Sequence, residues 1–458
     1  MYDDEFILPW FEHVRDLIPG LSLFDVHAHT GSNDPDGFRL SPEVLIDTLA
    51  AVDARSVVMP MHEPDGYPAA NDRILAECAG SSGRLVPFCR LDPNSDPIAE
   101  ARRCLDAGAR GIKLHPRAEA FDLASAVVGE IFALADEQRL PVLIHAGRGI
   151  PTLGRDAVEL ARRYPNARVI LAHAAICDLS WIWRDARDLP NLFFDTSWWN
   201  PIDLATLFTL IPPGQILYGS DPPYFTPALV ATSSIYAALH LGLDHEQLRV
   251  VLGGQLERLL AGEDPVDLGP PPGPSSEPQP ILLERITSML ILAVGRLLLG
   301  DTAHEPLSLA RLACDVGADD APEAGVCRNV LKLLDRQERA VNWSVDGLGV
   351  MGYAGAGIVM LAANVSRAPS VSLPEVPELA SEEEIRRASL IGHAMIDPAM
   401  LTARSREVRR ASGVMTAITP DMLPPEEPTP EERDLRRSSA ADHMLIDPDS
   451  LPPPAREE

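Results

Sequence analysis

Two histidines near the start of the chain have the type and spacing of metal ligands. His27 and His29 stand two residues apart at the end of a short apolar run that begins at Leu21. Side chains alternate between the two faces of a β-strand, so residues two apart point the same way. Both imidazoles would then converge on one point, and neutral imidazoles bind divalent metal ions well. Taken alone, each histidine fits a hydrogen-bonded core residue better than a metal ligand.

Further polar residues follow apolar runs in the same manner. Three more histidines, one lysine and one aspartate occupy such places: Lys113, His115, His145, His173 and Asp221. Several imidazoles and one carboxylate around one axis would form a metal site. Nitrogen and oxygen ligands suit zinc or a similar first-row ion such as manganese.

The first half of the chain alternates short apolar runs with longer amphipathic segments. Near-continuous hydrophobic runs are typical of strands in a parallel sheet covered by helices. Eight strand–helix units over residues 21–262 predict an α/β fold, a (β/α)8 TIM barrel, in which catalytic groups lie at the carboxyl ends of the strands. An open doubly wound sheet is the alternative, but it rarely needs eight units. The predicted strands are Leu21–Val26, Arg55–Met61, Arg84–Leu91, Arg110–Leu114, Leu140–Ile144, Ala167–Ala172, Asn191–Phe194 and Gln215–Tyr218.

The composition changes after the barrel. We predict a barrel over residues 1–262, a proline-rich linker over 263–281, a small helical module over 282–365 and a disordered acidic tail over 366–458. Within the module, prolines suited to a first helical turn predict helices from Pro306 and Pro322, and the charged residues 335–339 predict a solvated helix end. Residues 347–352 match GxGxxG, but no buried strand precedes them, so we interpret them as a small-residue turn.

The tail contains three short repeats. Arg-Arg-x-Ser occurs at 386–389, 409–412 and 436–439, each followed by an apolar patch and a proline turn. One interpretation is a set of marginal amphipathic turns in a solvated tail. The other is docking of a protein partner or phosphorylation by a basophilic kinase, since a phosphate would neutralise each basic pair.

Charge and cysteine content narrow the partners and the compartment. A formal net charge of −28 argues against nucleic acid and anionic membrane as partners, because both repel an acidic surface. The six cysteines contain no Cys-x-x-Cys pair and predict buried thiols of a reducing compartment. The acidic start of the chain is unlike a secretory signal. We therefore expect a cytoplasmic protein.

Several motifs together resemble the amidohydrolase superfamily, in its amidohydrolase-related (amidohydrolase 2) branch of metal-dependent hydrolases and decarboxylases. They are Phe24–His29, Gly111–Pro116, Ile144-His145, Leu171–His173 and Leu217–Pro223. The resemblance spans residues 21–262 and leaves the rest of the chain unexplained. A departure is Gln255, where the family's closing Gly-Gly turn commonly continues with Asn.

The resemblance implies a role for each motif residue. His27, His29, His145 and Asp221 are similar to the metal ligands, Asp221 also taking a proton from water. His173 is similar to the histidine that orients or deprotonates that water, and Lys113 lies where binuclear members carry a carbamylated lysine.

Independently of the family, a divalent metal would activate water and polarise a carbonyl group. The expected activity is hydrolysis of a C–O or C–N bond in a lactone, ester or amide. Two alternatives stay open: nonoxidative decarboxylation of a cyclic or aromatic acid, and an inactive barrel scaffold with a regulatory tail.

Loop residues should bind a small-molecule substrate. An arginine suits a carboxylate and a tryptophan pair suits a ring. For any one of these residues alone, packing against its loop neighbours is the favoured interpretation. The candidates are His62, Glu63, Arg90, Lys113, His115, Arg148, Trp198, Trp199 and Tyr224. Self-association into a homo-oligomer is also left open.

Overall fold

The structure, a computed structural model, describes residues 4–35, 37–147, 150, 152–274, 279–298, 302–317, 320–344 and 355–374. Four sequence predictions lie outside these residues: the substrate role of Arg148, the glycine motif at 347–352, the disorder of the tail from residue 375 onward and the three Arg-Arg repeats.

The predicted barrel is confirmed. Ten strand segments form eight barrel strands, because β1 continues into β2 and β4 into β5, and all strand pairings are parallel. A hydrogen bond of 2.9 Å from the Val26 amide to the Tyr218 carbonyl joins the first barrel strand to the last. The segments are β1 (Leu23–Asp25), β2 (His29–Thr30), β3 (Ala54–Pro60), β4 (Leu85–Pro87), β5 (Cys89–Arg90), β6 (Ile112–Leu114), β7 (Pro141–Ile144), β8 (Arg168–Leu171), β9 (Leu192–Asp195) and β10 (Ile216–Leu217).

The strands are buried on both faces, as their apolar sequences predict. One cluster, which includes Phe24, Phe88 and Phe193, gathers alternate strand residues, and a larger one packs other strand residues against the helices. Gly111 is required where the sheet meets Phe88, because a Cβ there would lie 2.5 Å from the phenylalanine ring. Close packing of this kind holds the strand ends in fixed positions.

Helices surround the barrel, and several begin at a recurrent local signal. Ser41, Asp96, Asn200 and Thr226 each accept a backbone N–H and are followed by proline in the first turn, a pattern that favours a helix start. The helices of this region are α1 (Asp4–Asp16), α2 (Pro42–Ala51), α3 (Pro68–Gly80), α4 (Pro97–Asp106), α5 (Ala126–Gln138), α6 (Leu153–Arg163), α7 (Leu179–Ala186), α8 (Pro201–Leu210), α9 (Pro227–His240), α10 (His245–Arg249) and α11 (Gln255–Leu260).

The predicted helical module is present and packs on the barrel. It consists of α12 (Ile281–Leu298), α13 (His304–Ala313), α14 (Ala324–Ser344) and α15 (Ala356–Arg367). Helix α15 contacts α12 and α14 on one side and the barrel helices α8 and α9 on the other. Every residue from Ala356 to Ser366 is buried. The module and the barrel therefore share one apolar core.

The structure corrects several sequence-based details. Helices α13 and α14 begin at His304 and Ala324 rather than at the prolines 306 and 322. Residues 335–339 lie inside α14, where Arg336 and Gln337 are buried, so they are no solvated helix end. Helical structure continues past the predicted tail boundary at residue 366, because α15 ends at Arg367.

All six cysteines are free thiols, as expected, but Cys177 is exposed rather than buried. It lies in the loop that follows β8. Along the described ranges, no helix combines the length and the apolarity that a membrane span requires.

Candidate metal centre

His27 and His29 meet at the carboxyl end of the first barrel strand. Their Nε2 atoms are 3.1 Å apart, and both side chains are buried. His27 follows β1 and His29 opens β2, so the extended backbone between them turns both rings to the same side. The predicted convergence of the pair therefore occurs.

Asp221 completes a group of three ligand atoms. Its Oδ1 atom lies 3.2 Å from each histidine Nε2 atom. The residue follows β10 in a left-handed backbone conformation (φ 55°), and its amide donates to the His27 carbonyl at 2.7 Å. This hydrogen bond ties the two ends of the barrel sequence together at the site.

The other ring nitrogens determine where the histidine protons are. His27 Nδ1 lies 2.9 Å from Asp195 Oδ2, and His29 Nδ1 lies 3.2 Å from the carbonyl oxygen of Pro60. Both partners are acceptors, so each Nδ1 carries the proton. In the neutral rings each Nε2 atom then carries the lone pair.

This donor set fits a divalent cation. Two imidazole lone pairs and a carboxylate oxygen face one another at 3.1–3.2 Å. Ligands about 2.0–2.2 Å from a zinc ion are roughly 3–3.5 Å apart. Asp221 Oδ1 is buried and makes no hydrogen bond within the described part of the chain, an unfavourable state that a cation would relieve. Of the predicted ligands, His27, His29 and Asp221 are thus brought together.

Burial changes the ionisation of these groups. It lowers the pKa of His27 and of His29 well below the usual value, and the Lys113 ammonium lowers each pKa further. Burial raises the pKa of Asp221 to about 7, although His173 and Lys113 oppose that shift. The histidines are therefore neutral at pH 7, as metal ligation requires.

His145 and His173 form a second pair beside the first. His173 Nδ1 donates to the Ser197 carbonyl at 2.9 Å, and His173 Nε2 lies 3.0 Å from His145 Nδ1. The His145 ring stacks on His115 with 3.8 Å between the ring centres. His173 Nδ1 is 3.9 Å from Asp221 Oδ2, so this pair borders the candidate metal centre. The assignment of His145 as a ligand stays a prediction.

Lys113 and Arg90 are buried cations at the same end of the barrel. Lys113 Nζ lies 3.1 Å from His27 Nε2, and burial lowers the pKa of Lys113 to about 8, partly offset by Asp221. Arg90 donates to Glu119 Oε1 at 2.6 Å and also faces the Pro60 carbonyl. Because Glu119 neutralises the charge of Arg90, the guanidinium contributes its shape and its hydrogen-bond donors to the site more than a net charge.

A cleft opens over the site. Among its walls are the candidate substrate residues His62, Arg90, Lys113, His115 and Tyr224, together with Arg117 and Asp34, which were not singled out from the sequence.

Other predicted substrate residues face elsewhere. Trp198 is buried and its indole N–H donates to Asp203 at 2.6 Å, and neither Trp198 nor Trp199 belongs to the cavity wall. The Glu63 carboxylate accepts hydrogen bonds from Arg73 at 2.6 Å and from Asn33 at 2.8 Å.

Two buried carboxylates beneath the site were not identified from the sequence. Asp25 accepts from the amides of His27 and Ser220 at 2.8 and 3.0 Å, which links the segments that carry His27 and Asp221. Asp195 accepts from His27 Nδ1 and from the His173 amide. A signal was available for Asp195, because it directly follows the apolar run Asn191–Phe194, as the histidines follow theirs.

The barrel region of the chain matches a known protein family. The model of the amidohydrolase family matches residues 24–260, which is half of the chain. No curated protein matches the sequence.

Several solved structures are similar in fold to about half of this chain. An uncharacterised TIM-barrel protein of Bordetella bronchiseptica is 16% identical, with a TM-score of 0.44, over 53% of this chain and 99% of its own. An amidohydrolase of Burkholderia multivorans with bound zinc is 14% identical, with a TM-score of 0.44, over 52% and 99%. A 4-oxalomesaconate hydratase of Rhodopseudomonas palustris is 14% identical, with a TM-score of 0.41, over 52% and 96%.

Proposed function

Because the chain belongs to the amidohydrolase family, we propose that it is a metal-dependent hydrolase of a C–O or C–N bond in a small lactone, ester or amide. The observation that carries this proposal is the convergence of His27 Nε2, His29 Nε2 and Asp221 Oδ1 within 3.2 Å of one another. Lone pairs and a carboxylate oxygen repel one another unless a cation lies among them. Zinc is the first candidate for that cation, with manganese or another first-row ion as the alternative.

Each residue has a role that follows from its position. His27, His29 and Asp221 would hold the ion. When bound, a divalent ion lowers the pKa of water and polarises a carbonyl group. Asp221 Oδ2, which points toward His173, would accept the proton of the attacking water and return it to the leaving oxygen or nitrogen. Such general acid–base transfer contributes about 10²–10⁴-fold to the rate.

His173 is suited to assist this transfer. The Ser197 carbonyl fixes its ring, and His145 Nδ1 contacts its other nitrogen. Both histidines are buried, so few water molecules compete for the proton. The cationic side chains in the cavity wall would orient an acidic or strongly polar substrate.

The test combines metal analysis with a substrate screen. Purified protein should contain about one zinc or similar ion per chain, and metal-loaded protein should hydrolyse at least one member of a panel of lactones, cyclic amides and aromatic esters. Release of carbon dioxide from an aromatic acid without hydrolysis would instead indicate the decarboxylase. A stable protein that binds no metal and turns over nothing would contradict the proposal and favour the scaffold.

Asp221→Asn should remove activity without unfolding the protein. The amide is close in size to the carboxylate but is a weaker ligand and cannot take up the proton, so we expect turnover to fall at least about 100-fold. Asp178→Asn is the matched control, because Asp178 does not line the cleft. Its carboxylate accepts hydrogen bonds from the Gly154 amide and the Trp181 indole. Full activity of Asp221→Asn would exclude the proposed site.

A further inference from the structure

We propose that Asp195 is a positioning residue: it holds the proton of His27 on Nδ1 and thereby directs the Nε2 lone pair of His27 to the metal. This inference rests on the proposed function for its metal, but the tautomer that it assigns is a property of the protein alone.

The two oxygens of Asp195 are used differently. Asp195 is fully buried at the end of β9. Its Oδ2 accepts from His27 Nδ1 at 2.9 Å. Its Oδ1 accepts from the amides of His173 and Ser197 at 2.8 and 3.0 Å, and from the Ser197 hydroxyl at 2.5 Å. Two of the donors to Oδ1 are backbone N–H groups, which can only donate.

Gly219 leaves the room that this carboxylate occupies, because a Cβ at position 219 would lie 3.1 Å from Asp195 Cβ and 3.2 Å from Asp195 Oδ2. The orientation of the carboxylate is fixed by the donors to Oδ1. Oδ1 therefore stays with the backbone donors and Oδ2 with His27. A second observation agrees with the resulting tautomer, because Lys113 Nζ lies 3.1 Å from His27 Nε2, where it requires a lone pair.

An asparagine at this position could not satisfy both sides. The two backbone donors require an oxygen, so the amide NH2 group would face His27 Nδ1. Donation from this NH2 group favours the tautomer in which His27 accepts at Nδ1 and carries its proton on Nε2, which removes the lone pair from the metal side. Ser197 Oγ, 3.3 Å from His27 Nδ1, is the competing acceptor. A carboxylate-to-amide change beneath a histidine inverts the tautomer in this way. Alanine would leave a space in which water can accept from Nδ1, so it would impose no inversion.

The test compares Asp195→Asn with Asp195→Ala in zinc affinity, measured by chelator competition. We expect Asp195→Asn to bind zinc roughly 10–100-fold more weakly than the unsubstituted protein, and Asp195→Ala to lose less affinity, although asparagine preserves volume better. Asp178→Asn, the same change at a half-buried carboxylate outside the site, should keep the original affinity. A purely structural role predicts the reverse order, with alanine the weaker binder, and that order or unchanged affinity in Asp195→Asn would overturn the proposal.

Nitrogen-15 spectra of histidine-labelled, metal-free protein provide a readout that does not depend on activity or zinc. The His27 signals should show a proton on Nδ1 in the unsubstituted protein and on Nε2 in Asp195→Asn. An unchanged tautomer in Asp195→Asn would overturn the inference. If the unsubstituted protein binds no zinc but the tautomer inverts, the proposed function fails while the role of Asp195 stands.

Discussion

At the scale of single residues, the site depends on the match between proton donors and acceptors. His27 and His29 both carry the ring proton on Nδ1. The acceptor of that proton is the Asp195 carboxylate for His27 and the Pro60 carbonyl for His29. Each partner determines which ring nitrogen faces the cavity. The direction of the Nε2 lone pairs therefore depends on the residues beneath the histidines as much as on the histidines themselves.

The placement of His145 can be tested through its glycine neighbour. A Cβ at Gly147 would overlap His145 Nε2, and the ring cannot move freely because it stacks on His115 and contacts His173. We expect Gly147→Ala to displace the ring and to lower kcat about 100-fold, the size of effect that a small misplacement produces. Steady-state kinetics on the substrate found by the screen would measure this.

Gly129→Ala is the matched control for that substitution. Gly129 lies in α5, where the nearest atom to an added Cβ is the Tyr164 hydroxyl at 3.4 Å. Alanine favours a helix over glycine by up to about 1 kcal/mol, so this variant should keep full activity and stability. Wild-type kinetics in Gly147→Ala would show that the position of His145 has no part in turnover.

Residue types at strand ends could be predicted, but their partners could not. His27, His173 and Asp221 each follow an apolar run, and this local signal was sufficient to find them. The role of Asp195 depends on contacts with His27, 168 positions earlier, and with the His173 amide. Such contacts leave no trace in local spacing, so the sequence marks Asp195 as a strand-end carboxylate but not as the partner of His27.

At the scale of elements, the structure separates helices that are amphipathic from one that is buried all round. Helices such as α4 and α6 show a polar and an apolar face, and the barrel elements were predicted from this alternation. Helix α15 has no polar face, because α12, α14, α8 and α9 surround it. A continuous apolar stretch carries no helical period, which explains why α15 was not predicted.

We expect the stability of the module to depend on helix α15. Leu361 lies at its centre and is fully buried. Leu361→Ala should lower the free energy of unfolding by about 2–5 kcal/mol through lost burial and a cavity. The control is Ile281→Ala at the start of α12, where the side chain is 78% exposed and the change should be within about 0.5 kcal/mol. Denaturant unfolding followed by far-UV circular dichroism would measure the free energy of unfolding of both variants. Equal values for the two variants would contradict the prediction that the stability of the module depends on α15.

At the scale of the whole molecule, the barrel and the module form one apolar cluster. Residues of α12, α14 and α15 belong to the same cluster as those of α1, α8 and α9. The proline-rich segment after α11 was predicted to separate two units, and its composition alone supports that interpretation. Composition does not report that a later helix, α15, which begins at Ala356, returns to pack on the barrel. A shared core favours a single cooperative unfolding transition.

Metal binding should therefore stabilise the entire described fold rather than the site alone. A ligand that binds only the native state adds about 2.7 kcal/mol at a free concentration 100 times its Kd, which corresponds to an increase of a few degrees in Tm. Differential scanning calorimetry should show zinc raising one transition that includes barrel and module, and a chelator should reverse the shift. Asp221→Asn, which loses one of the three ligands, should show a smaller shift. An equal shift in this variant would indicate that zinc binds elsewhere, and two separate transitions, of which zinc moves only one, would show that the shared core does not couple the module to the site.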